Sequence, residues 1–331
     1  MNKKGKIFLA ALAIILLVAL YFNKSEDKTK VDDKKVKIGV LQLLSHPALD
    51  SIYKGFEDEL KKQGYKIGEN LEIDLQNAQG DQSNLAAMSK KLVADKNNIL
   101  VGITTPATLS LSNETKNIPI IMGGITYPVE AGLIKNENKP GNNITGVSDR
   151  TPIKEQLEIM KKVLPNMKKV GIIYTASEDN STKQAKEAEK LAKEMNLEVN
   201  LKSVVNTNDI QQVTESVASS VDAIFVPIDN TIASAMATVV KVTDSYKIPV
   251  FPSADTMVKD GGLLGIGVDQ YKIGVETAKV VIEVLKGAKT EDKAIVLAND
   301  GIIYLNNKKA KELGITIPDE IKNKAEIVVG E

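Results

Sequence analysis

Short apolar runs alternate with helical patterns along the chain, and the alternation occurs twice. Residues 36–41 and residues 169–174 are apolar runs, and each is followed by a polar loop and a helical pattern. In the first copy Ile52, Phe56 and Leu60 recur at four-residue spacing, which predicts the buried face of an amphipathic helix. Continuous apolar strands joined by such helices are typical of a parallel sheet that is covered on both faces.

The two copies agree strand for strand. Further strands are predicted in the first copy at residues 71–76, 99–103 and 118–122, and in the second copy at residues 198–204, 223–227 and 248–251. The predicted fold class is therefore α/β, with two similar doubly wound parallel-sheet lobes, a hinge and a ligand cleft between the lobes. Ligands of open α/β sheets bind beyond the carboxyl ends of the strands, so the loops that follow the strands are the candidate site.

Glycine-rich stretches predict where the chain crosses between the lobes. The prediction gives residues 36–124 plus about 262–290 to lobe 1, residues 150–255 plus about 300–331 to lobe 2, and residues 125–149 and 256–261 to crossings. The pattern leaves open which lobe the C-terminal segment joins.

The N-terminus has the pattern of a targeting segment. Lys3, Lys4 and Lys6 precede an uncharged apolar run at residues 7–22. The run is longer than the core of most signal peptides and lacks a small-residue cleavage site, which predicts an uncleaved transmembrane anchor with the rest of the chain outside the cytoplasm. Polar residues up to residue 35 then predict a flexible tether. Secretion after signal-peptide cleavage is the alternative.

Composition excludes several classes of function. Lys+Arg and Asp+Glu both number 43, so no basic excess suggests a nucleic-acid partner. The chain has no cysteine and only one histidine, His46, which excludes thiolate nucleophiles, cysteine-based metal sites, multi-histidine metal sites and lipid attachment through cysteine. The pair Gly265 and Gly267 is not a dinucleotide-binding motif, because the third glycine of that motif is missing. We therefore predict no metal, no cofactor and no enzymatic activity, although an Asp/Tyr acid–base site stays open.

The loops after the strands share a polar chemistry. Hydroxyls beside free N–H groups at a helix start suit a ligand carboxylate, and a buried Asp suits a ligand ammonium group. Each such residue could also be an ordinary helix cap. The candidate ligand-binding residues are His46, Thr104, Thr105, Ala107, Tyr127, Ser177, Asn180, Ser181, Asp229, Asn230, Thr231 and Asp255.

At these loops the chain resembles a known family. Residues 102–107, 143–147, 222–231 and 313–318 resemble ABC-transporter substrate-binding proteins of the tryptophan/tyrosine-binding type, which have a type I periplasmic-binding-protein fold, and the resemblance covers about residues 36–328. It implies capture of an amino acid, with an aromatic one favoured, by hinge closure and delivery to an ABC permease with a cytoplasmic ATPase. It also implies that Thr104, Ala107, Ser177, Ser181, Asp229, Asn230 and Asp255 face the ligand. Many relatives carry a lipid-modified cysteine, which this chain lacks.

Other functions share this fold. The ectodomain of a sensor and an importer subunit for a different small solute both stay open. A LacI-like regulator needs a DNA-binding helix pair at the N-terminus, where this chain has the predicted anchor.

Overall fold

The computed structural model describes residues 35–298 and 301–330. The anchor predicted at residues 7–22 lies outside this range and stays a prediction. Among the described residues, no helix combines the length and the apolar character that crossing a membrane requires.

The described residues alternate between strands and helices. The strands are β1 (Val36–Gln42), β2 (Leu71–Asn77), β3 (Ile99–Ile103), β4 (Ile120–Gly123), β5 (Ile144–Ser148), β6 (Lys169–Thr175), β7 (Glu198–Val204), β8 (Ala223–Val226), β9 (Val250–Pro252), β10 (Leu264–Gly267), β11 (Val296–Leu297), β12 (Ile302–Asn306) and β13 (Ala325–Val329). The helices are α1 (Pro47–Lys62), α2 (Gln82–Ala94), α3 (Thr105–Glu114), α4 (Ile153–Val163), α5 (Asp179–Glu194), α6 (Ile210–Ala218), α7 (Asn230–Ser234), α8 (Met236–Tyr246), α9 (Asp255–Lys259), α10 (Gln270–Leu285), α11 (Asn307–Leu313) and α12 (Asp319–Lys322).

Two parallel sheets form two lobes. The first lobe contains a six-stranded sheet in the order β11-β5-β4-β3-β1-β2, and the second contains a four-stranded sheet in the order β7-β6-β8-β9. Every residue of β3, β4 and β8 is buried, as expected for parallel strands that are covered on both faces. Phe56 anchors the first core and Phe225 and Phe251 anchor the second. The predicted α/β fold with parallel sheets is confirmed.

The first departure from the predicted boundaries is β5. This strand lies within the predicted crossing at residues 125–149, yet it pairs with β4 and β11 in the first sheet. Its glycine made the segment look like a loop. In the structure that glycine, Gly146, allows close contact between strands, because a Cβ there would lie 2.4 Å from the backbone of Met122.

The second departure is β10, which falls in a segment predicted for lobe 1. It pairs antiparallel with β12, and Leu263 and Leu264 join the core of the second lobe. The predicted crossing at residues 256–261 is instead occupied largely by α9. Val268 is the first following residue that packs in the core of the first lobe. Here too the glycine suggested a loop, whereas it allows close contact between backbones. A Cβ at Gly265 would lie 2.0 Å from the Pro252 carbonyl oxygen.

Candidate ligand-binding site

A cavity lies beyond the carboxyl ends of both parallel sheets. Its volume is about 30 Å³, so the lining side chains lie close together around a narrow space. The first lobe contributes His46, Ala48, Leu49, Ile52, Thr104, Thr105, Gly124, Thr126, Asp149 and Gln270 to the lining. The second lobe contributes Asn180, Ile228, Asp229, Asn230, Ala233, Ala254 and Met257.

Half of the residues predicted from sequence meet in this lining. They are His46, Thr104, Thr105, Asn180, Asp229 and Asn230. They follow β1, β3, β6 and β8, and their side chains lie at the carboxyl ends of these strands. His46 and Asn230 also approach each other across the cleft, with the His46 Nε2 lying 3.4 Å from the Asn230 Oδ1.

The other predicted residues lie outside the lining. Ser177 is exposed in the turn before α5, and Ala107 is buried inside α3. The Tyr127 hydroxyl donates a hydrogen bond to Glu187 at 2.5 Å, and Tyr127 is not part of the cavity lining. Asp255 is paired with Lys259 at 2.6 Å. The Ser181 hydroxyl donates to Asp229, and the Thr231 hydroxyl donates to Glu178.

Asp229 was predicted to accept the ligand ammonium group, but its carboxylate is already occupied. Oδ1 accepts hydrogen bonds from the Thr175 hydroxyl and from the backbone N–H of Ile232, both at 2.8 Å. Oδ2 accepts from the backbone N–H of Thr175 at 2.6 Å and from the Ser181 hydroxyl at 2.5 Å. A carboxylate has about four acceptor positions, so these four bonds fill them. Asp229 therefore holds β6, α5 and α7 together beneath the cleft.

Glu178 was missed from sequence and forms a matching network. One of its oxygens accepts from the backbone and hydroxyl of Thr231, and the other accepts from the backbone and amide of Asn230. Burial raises the pKa of Glu178 to about 7, and the neighbouring Asp229 charge adds to this shift. Burial also raises the pKa of Asp229. Both acids therefore hold the start of α7 in place. Neither has an oxygen left to bind a ligand.

Replacing Asp229 with Ala is expected to lower the free energy of unfolding by about 2–4 kcal/mol. The substitution leaves four buried donors unpaired, one of which is the Ile232 N–H that Asp229 caps at the start of α7. Each loss costs about 1 kcal/mol, and removal of a buried charge offsets part of the total. Chemical denaturation of the full chain in detergent would measure this. Asp81→Ala is the matched control, because Asp81 caps α2 at the surface and its loss costs only about 1 kcal/mol. Equal losses in the two variants would contradict the structural role.

Four buried polar atoms of the cavity lining have no hydrogen-bond partner among the described residues. They are His46 Nδ1, Thr104 Oγ1, Asp149 Oδ1 and Asn180 Oδ1. Buried polar atoms in folded proteins are nearly always paired, so such a group around one cavity points to a ligand. Asn180 uses its amide N–H on the Ile228 carbonyl at 2.9 Å, which leaves Oδ1 as a free acceptor.

Asp149 is the acid in this group, and sequence reasoning missed it. It follows β5 and is only 4% exposed. Burial raises the pKa of its carboxyl to about 6, although a hydrogen bond from Thr126 lowers it. Gly124, with φ of 79°, lies beside it, and a Cβ there would stand 3.5 Å from Oδ2. A buried carboxylate with one free oxygen is a natural partner for a cationic group.

The N-terminus of α3 carries the partial positive charge of a helix start, opposite in sign to the charge of Asp149. Thr104 precedes the helix with φ of 89°, an uncommon conformation for a β-branched residue. Within the described residues its hydroxyl makes no capping bond, and Thr105 begins the helix at the cavity wall. The first N–H groups and dipole of a helix attract anions. The cavity therefore combines an anion site with the carboxylate of Asp149.

The comparison with protein families identifies the chain. Residues 37–329 match the family model described as ABC transporter substrate binding protein. The chain belongs to this ABC transporter substrate-binding family. ABC transporter substrate-binding proteins are non-enzymatic solute binders, and the cavity of this substrate-binding protein is its candidate solute site.

The chain is similar to three individual proteins of known name or structure. A "Tyrosine-binding protein" of Clostridioides difficile is 40% identical over 292 residues, which are 88% of this chain and 85% of the relative. The structure of an ABC domain from Streptococcus pneumoniae in complex with L-Trp is 47% identical, covers 89% of this chain and 100% of that chain, and has a TM-score of 0.86. A ligand-free, open substrate-binding protein with adhesive properties from Clostridium difficile is 34% identical, with coverage of 89% and 100% and a TM-score of 0.68.

The lobes of this substrate-binding protein lie closer to the ligand-bound arrangement than to the open one. Sequence divergence does not explain the lower score of the open form. A conserved domain protein from Vibrio cholerae is only 35% identical, covers 89% of this chain and 99% of its own, and scores 0.87. The cavity therefore belongs to a closed arrangement of the two lobes.

Proposed function

We propose that this protein captures an α-amino acid, with an aromatic one favoured, and delivers it to an ABC permease with its cytoplasmic ATPase. One observation carries the proposal: the free Asp149 oxygen and the uncapped start of α3 share one buried cavity. Asp149 suits an ammonium group and α3 suits a carboxylate, and an α-amino acid carries both.

The sheet topology supports a head-group site between Thr104 and Asp149. β3, β4 and β5 are consecutive neighbours in the first sheet, so Thr104 and Asp149 follow strands that are two positions apart. Neighbouring strands lie about 4.8 Å apart, which separates the two backbones by roughly 10 Å. An amino-acid head group with a hydrogen bond at each end fits such a gap. Gly124, after β4, lies between them and leaves room for the ligand because it lacks a side chain.

The rest of the lining is mainly apolar. It includes Leu49 and Ile52 of α1 from the first lobe, and Ile228, Ala233 and Met257 from the second lobe. These aliphatic side chains suit an apolar or aromatic ligand side chain. The choice of an aromatic ligand is further supported by the tyrosine named for one relative and the L-Trp bound to another.

Contacts between the lobes support capture by hinge closure. His46 approaches Asn230, and Tyr127 donates to Glu187 on α5. A ligand that contacts both lobes stabilises the closed state over the open one, and this difference drives closure. The apolar run at residues 7–22, which lies outside the described residues, would hold the protein on the outer face of the membrane.

The test is a thermal-shift and calorimetric screen of the 20 amino acids on the full chain in detergent. We expect L-tryptophan or L-tyrosine to raise the melting temperature, because a ligand that binds only the folded state stabilises it. Tryptamine lacks the carboxylate and indole-3-propionate lacks the ammonium group, so both should bind much more weakly. Binding of either one as tightly as L-tryptophan would overturn the proposed head-group site.

A further inference from the structure

A hydrogen-bonded chain connects Glu178, Asn230 and His46 across the cleft. The Asn230 amide nitrogen lies 2.5 Å from a Glu178 oxygen, and the Asn230 Oδ1 lies 3.4 Å from the His46 Nε2. An ionised carboxylate can only accept, so Glu178 fixes the amide orientation with the N–H groups towards itself. The Asn230 oxygen therefore faces His46 and requires a donor there.

This orientation determines which ring nitrogen of His46 carries the proton. Nε2 must be protonated to donate to Asn230, and in a neutral imidazole the other nitrogen is then a bare acceptor. That nitrogen, Nδ1, is buried on a residue only 6% exposed, and no described residue is hydrogen-bonded to it. Although His46 precedes α1, its side chain makes no capping bond to that helix within the described residues.

Burial keeps His46 neutral. It lowers the pKa of His46 to about 4, although the contact with Asn230 and the charge of Asp50 raise it. The ring is therefore neutral at pH 8, where Glu178 is ionised and Nδ1 is the bare acceptor.

The position of His46 separates it from the proposed head-group site. His46 follows β1, whereas Asp149 follows β5, three positions away along the sheet. At about 4.8 Å per strand the two strands lie roughly 14 Å apart, so His46 and Asp149 enter the cavity from different parts of the sheet. Ala48, Leu49 and Ile52 of α1, the helix that begins directly after His46, belong to the apolar part of the lining. The ligand side chain, rather than its head group, belongs beside Nδ1.

We propose that Glu178 and Asn230 hold His46 in the Nε2–H tautomer, and that His46 Nδ1 accepts a hydrogen bond from an N–H or O–H group on the ligand ring. This inference rests on the proposed function, because it assumes an amino acid in the cavity. It makes His46 a specificity-determining residue. The site would favour rings with a donor, such as indole or phenol, over rings without one.

The first test is direct, because His46 is the only histidine in the chain. Nitrogen-15 NMR of the histidine-labelled full chain at pH 8, above the pKa of Glu178, distinguishes a protonated ring nitrogen from a bare one by its chemical shift. We expect the Nε2–H tautomer. The Nδ1–H tautomer would overturn the proposal whatever the ligand is.

The second test compares two ligands that differ only in the ring donor. L-Tryptophan is expected to bind roughly 10- to 100-fold more tightly than its benzothiophene analogue, in which sulfur replaces the N–H, because the analogue leaves Nδ1 buried without a partner. In His46→Phe this ratio should fall towards one. The variant also loses the contact with Asn230, but that loss affects both ligands and cancels in the ratio.

The outcomes separate this inference from the proposed function. Equal affinity for the two ligands in the unmodified chain, or an unchanged ratio in His46→Phe, would overturn the inference alone. Binding of neither ligand, together with no binding of any of the 20 amino acids in the screen, would overturn the inference and the proposed function together. If His46→Phe does not fold, the tautomer and the two affinities of the unmodified chain still decide the proposal.

Discussion

Replacing Asp149 with Asn is expected to weaken the binding of L-tryptophan or L-tyrosine several hundredfold. The ligand ammonium group would be buried in the closed cleft without its counter-charge, which costs about 3–4 kcal/mol. Isothermal titration calorimetry of the full chain would measure the loss. Asp255→Asn is the matched control from the second lobe, because Asp255 lies outside the cavity lining and is paired with Lys259. Unchanged affinity in Asp149→Asn would remove Asp149 from the site.

Loss of binding through misfolding can be distinguished from loss of the charge. Burial raises the pKa of Asp149 from 3.8 to about 6, so the folded state binds this proton more tightly than the unfolded state between these values. Ionised Asp149 therefore lowers stability as pH rises through this window, and the cost is fully present at pH 7. The Asn variant lacks this cost. It should melt at the same temperature as the unmodified chain at pH 7, or higher, while binding poorly.

The same pKa predicts how binding depends on pH. The ion pair needs ionised Asp149, so the affinity should fall as pH drops below about 6, by up to tenfold per unit. His46, with a pKa of about 4, stays neutral over most of this range. In Asp149→Asn the contribution of this group disappears, and the remaining pH dependence should be much flatter.

Most of the fold was accessible from sequence because parallel strands that are buried on both faces are continuous apolar runs. β1, β3 and β8 have this pattern, and the structure contains all three. β5 and β10 were missed because each contains glycine, which usually indicates a loop. In both strands the glycine instead permits close contact with another part of the backbone, at Met122 and at Pro252. Such contacts are long-range and leave no local signal.

The candidate site could be predicted from the sequence only in part, for a different reason. Asp149 and Asp229 look alike in sequence, since each is a lone acid shortly after an apolar strand. Their roles differ because Asp229 meets four donors, whereas Asp149 keeps one oxygen without a partner among the described residues. Which acid is occupied depends on Thr175 and Ser181, whose positions the tertiary structure sets. Thr104 was easier to predict, because a helix that begins with Thr and Pro after a strand is a local pattern.

Replacing Gly274 with Ala is expected to destabilise the protein strongly, although alanine is the better helix former. Gly274 of α10 and Gly55 of α1 lie where the two helices touch. A Cβ at Gly274 would lie 1.9 Å from the Ile52 carbonyl oxygen, and one at Gly55 would lie 2.1 Å from the Tyr271 carbonyl oxygen. Both obstacles are backbone atoms, so no side chain can rotate away and the helices must separate.

We expect Gly274→Ala to lower the free energy of unfolding by about 2–3 kcal/mol, since overpacking outweighs a gain in helix propensity of about 1 kcal/mol. Denaturant titration would measure this, with Gly123→Ala as the control, because a Cβ there meets its nearest neighbour at an ordinary 3.5 Å. Ligand affinity should also fall, because Ile52 is both the contact of Gly274 and part of the cavity wall.

The double variant tests whether the two glycines serve one contact. If the first alanine separates α1 from α10, the second enters a gap that is already open. Gly55→Ala and Gly274→Ala together should then cost less than the sum of their separate effects, as expected for residues that share one contact. Fully additive losses would mean that each alanine is accommodated locally and that the helices keep their spacing, in which case the cavity wall formed by α1 should also keep its affinity for the ligand.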